Sequence, residues 1–175
     1  VVMTHLLWFM GIHGTNTLEA VSRHLFEQNV EINQSLVLAG HIPTEIFSKT
    51  FLDTFVFIGG CGTALSFVLA LYIASKQSHN RKMSFVALPS ALFNISEIAV
   101  FGFPIIFNLT MLIPFILTPV ILTLISASAI KAGLVPAVTQ SVEWTIPVLL
   151  SGYQATGSVS GSLLQLFNLL VGVFI

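Results

Sequence analysis

Charged residues are scarce in this sequence. Lys, Arg, Asp and Glu together make up 7% of its 175 residues, whereas soluble domains carry about 25%. Hydrophobic residues reach 55%, and the mean hydropathy is +0.95. Such a chain cannot keep a water-facing surface solvated, so its surroundings are largely lipid or other apolar protein. The composition therefore predicts an all-α integral membrane protein built from several helices.

Cysteine and the motifs of cofactor chemistry are also scarce or absent. Cys61 is the only cysteine, which excludes an internal disulfide, and no two histidines have the spacing of metal ligands. The sequence contains no nucleotide-binding loop and no nucleophile elbow. A net charge of −1 gives no indication of a nucleic-acid partner. We predict no metal, no cofactor, no nucleic-acid partner and no phosphoryl-transfer nucleophile in this chain.

Both ends of the chain lie in apolar sequence. It opens without an initiator methionine or a basic signal region, and it stops inside the run VGVFI at 171–175. We therefore expect residues 1–175 to be part of one transmembrane domain of a longer protein, truncated at both ends.

One stretch is the clearest predicted membrane span. Residues 54–75 contain no charged side chain and are long enough to cross a hydrocarbon core of about 30 Å. The small residues GGCGT at 59–63 allow either close helix packing or the close approach of a substrate. Before this span, residues 18–43 hold several charges and predict a short amphipathic helix at the surface. After it, the basic run KQSHNRK at 76–82 predicts a cytoplasmic loop.

Two apolar segments are broken by proline or glycine, and they flank a long charge-free stretch. Residues 83–94 are too short to span and are interrupted by Pro89, so they predict a re-entrant hairpin. Residues 98–130 lack charge, and we expect them to supply the return arm of that hairpin and then a kinked span. Residues 136–157 form the second broken segment. In transporters, such a pair indicates a substrate site near the membrane midplane.

A carboxylate and an imidazole lie beside these broken regions. Glu97 precedes an apolar stretch, where a carboxylate must be paired, protonated or placed in a polar cavity. It either fixes the hairpin turn or binds a ligand, and it suits a sugar because it accepts from two hydroxyls. His13 lies between Gly11 and Gly14, and it either makes a structural hydrogen bond or orients or deprotonates a hydroxyl.

Trp8 and Trp144 are the only tryptophans. They belong either to an interfacial aromatic belt or to a sugar site, where a flat apolar face stacks on a sugar ring. Both lie next to polar, broken segments rather than in mid-helix, which favours the sugar site.

Seven stretches that cover nearly the whole chain resemble a known family. They are, in the family's order, WFMGIHG at 8–14, FIGGCGT at 57–63, FNISE at 93–97, FGFPI at 101–105, IPFILTP at 113–119, WTIP at 144–147 and SGYQATG at 151–157. Together they resemble the C-terminal half of EIIC, the sugar-translocating membrane subunit of bacterial phosphotransferase systems. The branch they resemble transports lactose, cellobiose and diacetylchitobiose.

The resemblance implies a fold and a transport function. It implies a homodimer of multi-pass subunits with two re-entrant hairpins, in the lipid bilayer of the bacterial inner membrane. A disaccharide such as cellobiose or diacetylchitobiose would be carried inward and phosphorylated by a phosphocysteine of the partner protein EIIB.

The same resemblance assigns roles to single residues. His13 would lie near the hydroxyl that receives phosphate, as the catalytic residue. Glu97, Asn94, Gly14 and His13 would bind the sugar, and Trp8 and Trp144 would line its site.

Several positions depart from the family pattern. Ile98 stands where a proline usually follows the glutamate, Ser96 replaces an asparagine, and Val148 replaces a second proline after the tryptophan motif. Residues SVSG at 158–161 stand in place of the usual Asp-Trp-Arg. These departures keep a second hypothesis open, in which an EIIC-like membrane domain fused to a signalling domain senses a sugar without transporting it.

Overall fold

The computed structural model describes residues 1–175, apart from the side chain of Glu27. The described chain is helical and contains no β-strand, which confirms the all-α prediction. Its α-helices are α1 (Val2–Phe9), α2 (Gly14–Thr17), α3 (Glu19–Leu38), α4 (Lys49–Phe51), α5 (Ala64–Ala74), α6 (Ser78–Leu92), α7 (Glu97–Gly102), α8 (Leu109–Lys131), α9 (Leu150–Thr156) and α10 (Val159–Phe174). A π-helical turn (Leu52–Val56) and a 3-10 turn (Cys61–Thr63) lie between α4 and α5.

The first predicted span is present, but it is not one regular helix. The segment Lys49–Ala74 has the length and apolar composition of a membrane span. Its backbone is interrupted where Gly59, Gly60 and Gly62 have φ values of +80°, +94° and +69°. A right-handed helix does not pass through such conformations, whereas glycine adopts them readily. The small-residue run therefore sets a break within the span.

The side chain of His5 in α1 stabilises the backbone at this break. Its ring is fully buried, with Nδ1 2.7 Å from the Val1 carbonyl oxygen, and its Nε2 accepts the Gly62 N–H at 2.9 Å. Gly62 has no room for a side chain, because a Cβ there would lie 2.1 Å from the Phe115 ring of α8. The broken span thus packs tightly against both α1 and α8.

Helices α6 and α7 form the first hairpin. The 15 residues of α6 reach about 22 Å, which is less than the roughly 30 Å of a hydrocarbon core. The expected break at Pro89 is wrong, because Pro89 lies inside α6 and the helix continues to Leu92. The chain reverses instead at Asn94, whose φ of +62° is a conformation that asparagine tolerates better than most residues.

Helix α8 is the second segment with the length and composition of a membrane span. Pro114 and Pro119 lie inside it and do not end it. It ends at Lys131, and Gly133 follows with a φ of +72°, as the cation and glycine at this point of the sequence indicate.

The second hairpin consists of an extended arm and α9. The backbone N–H groups of Thr139 and Gln140 both donate to the Ala155 carbonyl oxygen, at 3.0 and 3.3 Å. A turn at residues 143–146 forms the tip. The predicted pair of hairpins, one on each side of α8, is therefore present.

A buried amide holds this second hairpin against the first span. The Oε1 atom of Gln165 in α10 accepts the N–H groups of Leu149 and Gly152, both at 2.8 Å. Its Nε2 donates to the Thr54 carbonyl oxygen at 2.7 Å. One side chain thus satisfies backbone groups of two broken segments that ordinary helical bonds leave unpaired.

Helix α3 is longer than the short amphipathic helix that the sequence predicts, because it runs for 20 residues. Asn33 joins it to the rest of the molecule. Its Nδ2 donates to the carbonyl oxygens of Glu45 and Val138, at 2.7 and 2.9 Å. The polar α3 is thereby placed beside the extended arm of the second hairpin.

Candidate functional site

A polar cavity of about 900 Å³ opens where α1, α3, the start of the first span and the two hairpin tips come together. Five of the six residues proposed as a site line this cavity, namely Trp8, His13, Asn94, Glu97 and Trp144. They come from segments far apart in sequence, so the fold brings them to one place. The volume is in the upper part of the range for small-molecule sites.

His13 is held in a defined orientation by a backbone N–H group of α2. It is the N-cap residue of α2, and its Nδ1 accepts the Asn16 N–H at 3.2 Å. A ring nitrogen that accepts carries no proton, so the neutral imidazole is protonated on Nε2. This Nε2 lies 3.5 Å from Oε1 of Glu97. His13 therefore presents an N–H donor to the carboxylate.

Glu97 begins α7, directly after the tip of the first hairpin. The side chains of His13 and Glu97 are 39% and 44% exposed, so both face the cavity rather than the protein interior. Among the described residues, His13 is the one side chain paired with this carboxylate. Its second oxygen is therefore available to accept from a ligand hydroxyl.

The two tryptophans differ in their surroundings. Trp8 is buried, its ring centroid lies 4.3 Å from that of His13, and its Nε1 donates to Thr15 Oγ1 at 3.3 Å. Trp144 is 48% exposed at the tip of the second hairpin. Trp8 supports the imidazole, whereas Trp144 offers the open aromatic face that stacking on a sugar requires.

Asn94 joins the tips of the two hairpins. Its Oδ1 accepts the Gly59 N–H at 2.8 Å, and its Nδ2 donates to the carbonyl oxygens of Trp144 and Ile146, at 2.6 and 3.1 Å. The amide thus uses both of its N–H donors and one acceptor position in hydrogen bonds to backbone groups. Asn94 shapes the cavity that it lines.

Gly14, the sixth proposed residue, does not line the cavity. It is buried at the start of α2, and a Cβ there would lie 2.1 Å from the Thr4 carbonyl oxygen. Its absent side chain lets α2 pack directly on α1. Gly14 therefore determines where the neighbouring imidazole stands.

The cavity has a second charged region that the sequence analysis did not identify. It is lined by ionisable residues on α3, on the first span and on the second hairpin: Glu19, Arg23, Glu31, Lys49, Asp53 and Glu143. Two pairs at i,i+4 spacing contain the signal that could have found them, because Arg23 lies 2.8 Å from Glu19 and Lys49 lies 2.6 Å from Asp53. The hydrogen bond from Arg23 lowers the pKa of Glu19, so this carboxylate is charged at neutral pH.

Comparison with known proteins shows which family this chain belongs to. The model of the family described as "Phosphotransferase system, EIIC" matches residues 1–119. The chain belongs to the EIIC family. It is 35% identical over 173 residues to the oligo-beta-mannoside-specific EIIC component of Bacillus subtilis (strain 168), covering 98% of this chain and 39% of that protein. It is also 32% identical over 176 residues to the cellobiose-specific EIIC component of Geobacillus stearothermophilus, with coverage of 98% and 39%.

A solved EIIC structure has the same fold. The crystal structure of the transporter ChbC, the IIC component of the N,N'-diacetylchitobiose-specific phosphotransferase system, superposes with a TM-score of 0.94 at 32% identity. The match covers 99% of this chain and 40% of ChbC. The chain thus spans about two-fifths of the length of the EIIC proteins it matches. Members of this family are components of membrane transporters, which agrees with the two apolar spans.

Proposed function

We propose that this chain forms the sugar-binding part of a transporter that carries a disaccharide inward while a phosphorylated EIIB protein phosphorylates it. The observation that carries the proposal is the His13–Glu97 pair, 3.5 Å apart in the polar cavity between the hairpin tips. A donor and an acceptor at this distance can engage one sugar hydroxyl together. The disaccharide is of the cellobiose or diacetylchitobiose kind, as the names of the relatives suggest.

The two residues have different roles in this proposal. The free oxygen of Glu97 accepts from sugar hydroxyls, and a charge-assisted hydrogen bond of this kind is stronger than a neutral one. The Nε2–H of His13 donates to the oxygen of the hydroxyl that receives phosphate. Phosphoryl transfer breaks the S–P bond of the EIIB phosphocysteine and forms an O–P bond, while the hydroxyl proton leaves. Because Nδ1 of His13 accepts a backbone N–H, the carboxylate is the better placed group to take that proton.

The assembly is a further part of the same proposal. The transporter is a homodimer, multi-pass in the inner membrane of a bacterium, and the hairpins lie within the bilayer thickness without crossing it. The irregular backbone of their tips then faces a polar cavity, the one place at membrane depth where such backbone is tolerated. The sensing alternative is not favoured, because the relatives are named as components of phosphotransferase systems.

The test uses the full-length protein in proteoliposomes. We expect labelled cellobiose or diacetylchitobiose to bind saturably, and to accumulate as the sugar phosphate on the side that contains phosphorylated EIIB. Unphosphorylated EIIB is the control and should support binding without accumulation. Binding of neither sugar would contradict the proposed substrate class, and binding without any phosphorylation would favour a sensor.

A further inference from the structure

Three cations lie together where α5 leads into α6, at the end of α6 that is remote from the hairpin tip. Lys76, Arg81 and Lys82 are all exposed, and none of them is paired with a carboxylate in the part of the chain that the structure describes. No aspartate or glutamate occurs in the sequence between Asp53 and Glu97. The turn therefore carries a positive charge that no neighbour in sequence balances.

The turn that carries these cations is short and is held by hydrogen bonds. Helix α5 ends at Ala74, and α6 begins at Ser78. Between them, Ser75 Oγ accepts the Gln77 N–H at 3.2 Å and a hydrogen bond from Nδ2 of Asn80 at 3.3 Å. These bonds keep the cations at the ends of the two helices.

Arg81 also contacts an aromatic ring of the neighbouring helix. Its Cζ atom lies 5.6 Å from the ring centroid of Tyr72 in α5, which is within the range of a cation–π interaction. Tyr72 is partly exposed. Tyrosine and arginine side chains both favour the level of the lipid headgroups, because each has an apolar part and a polar end. The pair therefore indicates the level of the membrane–water interface.

The surface next to the cations is apolar and exposed. Phe85 and Val86 follow Arg81 and Lys82 at i,i+4 spacing on α6, and they are 67% and 57% exposed. Ile73, near the end of α5, is 72% exposed. The exposed face of α6 thus changes from cationic to apolar within one helical turn, a distance of about 5 Å. A phospholipid has the same arrangement, because its charged headgroup adjoins its acyl chains.

We propose that this basic turn, formed by Lys76, Arg81 and Lys82, binds the headgroup of an anionic phospholipid such as phosphatidylglycerol. The acyl chains of the lipid would lie against Phe85 and Val86. The proposal goes beyond sugar transport and does not depend on which sugar binds. Charge complementarity favours an anionic ligand, because each cation near an anionic leaflet adds to the attraction. The apolar face favours a lipid over a water-soluble partner such as EIIB, which does not reach side chains that lie within the bilayer.

The first experiment measures the melting temperature of the delipidated full-length protein in detergent. The probes are dioctanoyl phosphatidylglycerol, dioctanoyl phosphatidylcholine, and glycerol 3-phosphate, which has an anionic phosphate but no acyl chains. We expect only phosphatidylglycerol to raise the melting temperature saturably, and we expect added salt to weaken its effect. Equal stabilisation by phosphatidylcholine would overturn recognition of the charge. Equal stabilisation by glycerol 3-phosphate would overturn the lipid in favour of a soluble phosphate.

Substitutions at the turn test whether the lipid binds there. Lys76→Gln, Arg81→Gln and Lys82→Gln together should raise the phosphatidylglycerol concentration for half-maximal stabilisation by about tenfold or more. Arg81→Gln alone should raise it by about fivefold, so the result does not depend on folding of the triple variant. Lys131→Gln removes an exposed cation at the end of α8 and is the matched control for this single change. An unchanged lipid response in both turn variants would overturn the proposal.

A phosphorylation assay separates a lipid site from a docking surface for EIIB. In bilayers that contain phosphatidylglycerol, the triple variant should form sugar phosphate with phosphorylated EIIB as the parent does, because the three cations do not line the polar cavity. Loss of phosphorylation with an unchanged response to phosphatidylglycerol would assign the turn to EIIB and overturn the lipid site. If the parent itself forms no sugar phosphate, the proposed function fails, and the melting temperatures still decide whether the turn binds lipid.

Discussion

The Nε2 atom of His13 lies 3.5 Å from Oε1 of Glu97, so that the first residue of α7 meets the N-cap of α2 in one polar cavity. The Glu97→Gln change keeps the shape of the side chain and removes its charge. A hydrogen bond to a charged group contributes roughly 1.5–3 kcal/mol, so sugar affinity should fall by about ten- to a hundredfold. Equilibrium binding of labelled cellobiose and diacetylchitobiose to the full-length protein measures this. Unchanged affinity would mean that the carboxylate only stabilises the hairpin.

The protonation of His13 gives a second prediction. Glutamine can present an N–H donor from a similar position, but it cannot accept a proton. If His13 acts as a donor, His13→Gln should retain phosphorylation within about tenfold, and His13→Ala should lose about a hundredfold or more. The rate of sugar phosphate formation with phosphorylated EIIB is the measurement.

The opposite outcome for His13→Gln and His13→Ala would assign a different role to His13. Loss of about a hundredfold or more in both variants, with sugar binding intact, would show that the imidazole takes the hydroxyl proton.

Asn94 provides a prediction about stability and affinity together. Asn94→Asp keeps the acceptor for the Gly59 N–H and tolerates the positive φ, but it loses the donors to Trp144 and Ile146. Asn94→Ala loses all three bonds and is strained at φ +62°. We expect melting temperature and sugar affinity to be lower than those of the parent in both variants. Alanine loses roughly 0.5–1.5 kcal/mol of unfolding free energy per bond, and aspartate sets a carboxylate oxygen against two carbonyl oxygens.

Thermal unfolding in detergent and binding of labelled cellobiose test these losses. An alanine variant as stable as the parent would mean that the amide does not hold the two tips together.

Gly14 gives a prediction in which packing and backbone conformation can be separated. A Cβ at Gly14 would lie 2.1 Å from the Thr4 carbonyl oxygen, so Gly14→Ala must push α2 away from α1. Gly133→Ala is the comparison, because no atom lies within 4 Å of a Cβ there and only the φ of +72° is unfavourable. Gly133→Ala should cost about 1–2 kcal/mol of stability, and Gly14→Ala should cost more and also weaken sugar binding.

Thermal unfolding of both alanine variants checks the comparison. Equal stability of the two would show that α2 can move without loss.

The orientation of the first hairpin is testable by labelling. Ser78 is exposed at the start of α6, within the basic run at 76–82, which predicts a cytoplasmic position. A cysteine introduced as Ser78→Cys should resist an impermeant thiol reagent in intact cells and react after permeabilisation. Cys61 is buried and should contribute little background. Efficient labelling of intact cells would reverse the orientation.

Much of the fold could be predicted because the hydrophobic runs and their interruptions are local properties. The charge-free stretches located both spans. The short apolar run at 83–94 and the broken segment at 136–157 located the two hairpins. The exact point of reversal could not be found, since Pro89 is accommodated inside α6. The turn at Asn94 is stabilised by carbonyl groups of residues 50 and 52 positions away in sequence. Such partners are known only once the chain is folded.

The candidate site was predictable to a similar extent. Carboxylate, imidazole and indole groups are conspicuous in apolar sequence, and five of the proposed residues line one cavity. Lys49 and Asp53 were missed because charges next to a span are expected at the membrane surface. In the folded protein they line the cavity together with α3, which contributes much of its wall. Sequence does not reveal which polar helix covers which apolar one.

The amide of Asn94 has a mechanical consequence for any change in the accessibility of the cavity. A motion that separates the hairpin tips must break two hydrogen bonds to Trp144 and Ile146, whereas a motion that carries both tips together leaves them intact. The second motion is therefore favoured energetically. In the proposed transport cycle, the distance between Glu97 and Trp144 would then stay fixed while the cavity opens first to one side of the bilayer and then to the other. A bound sugar would then keep its position relative to both hairpin tips.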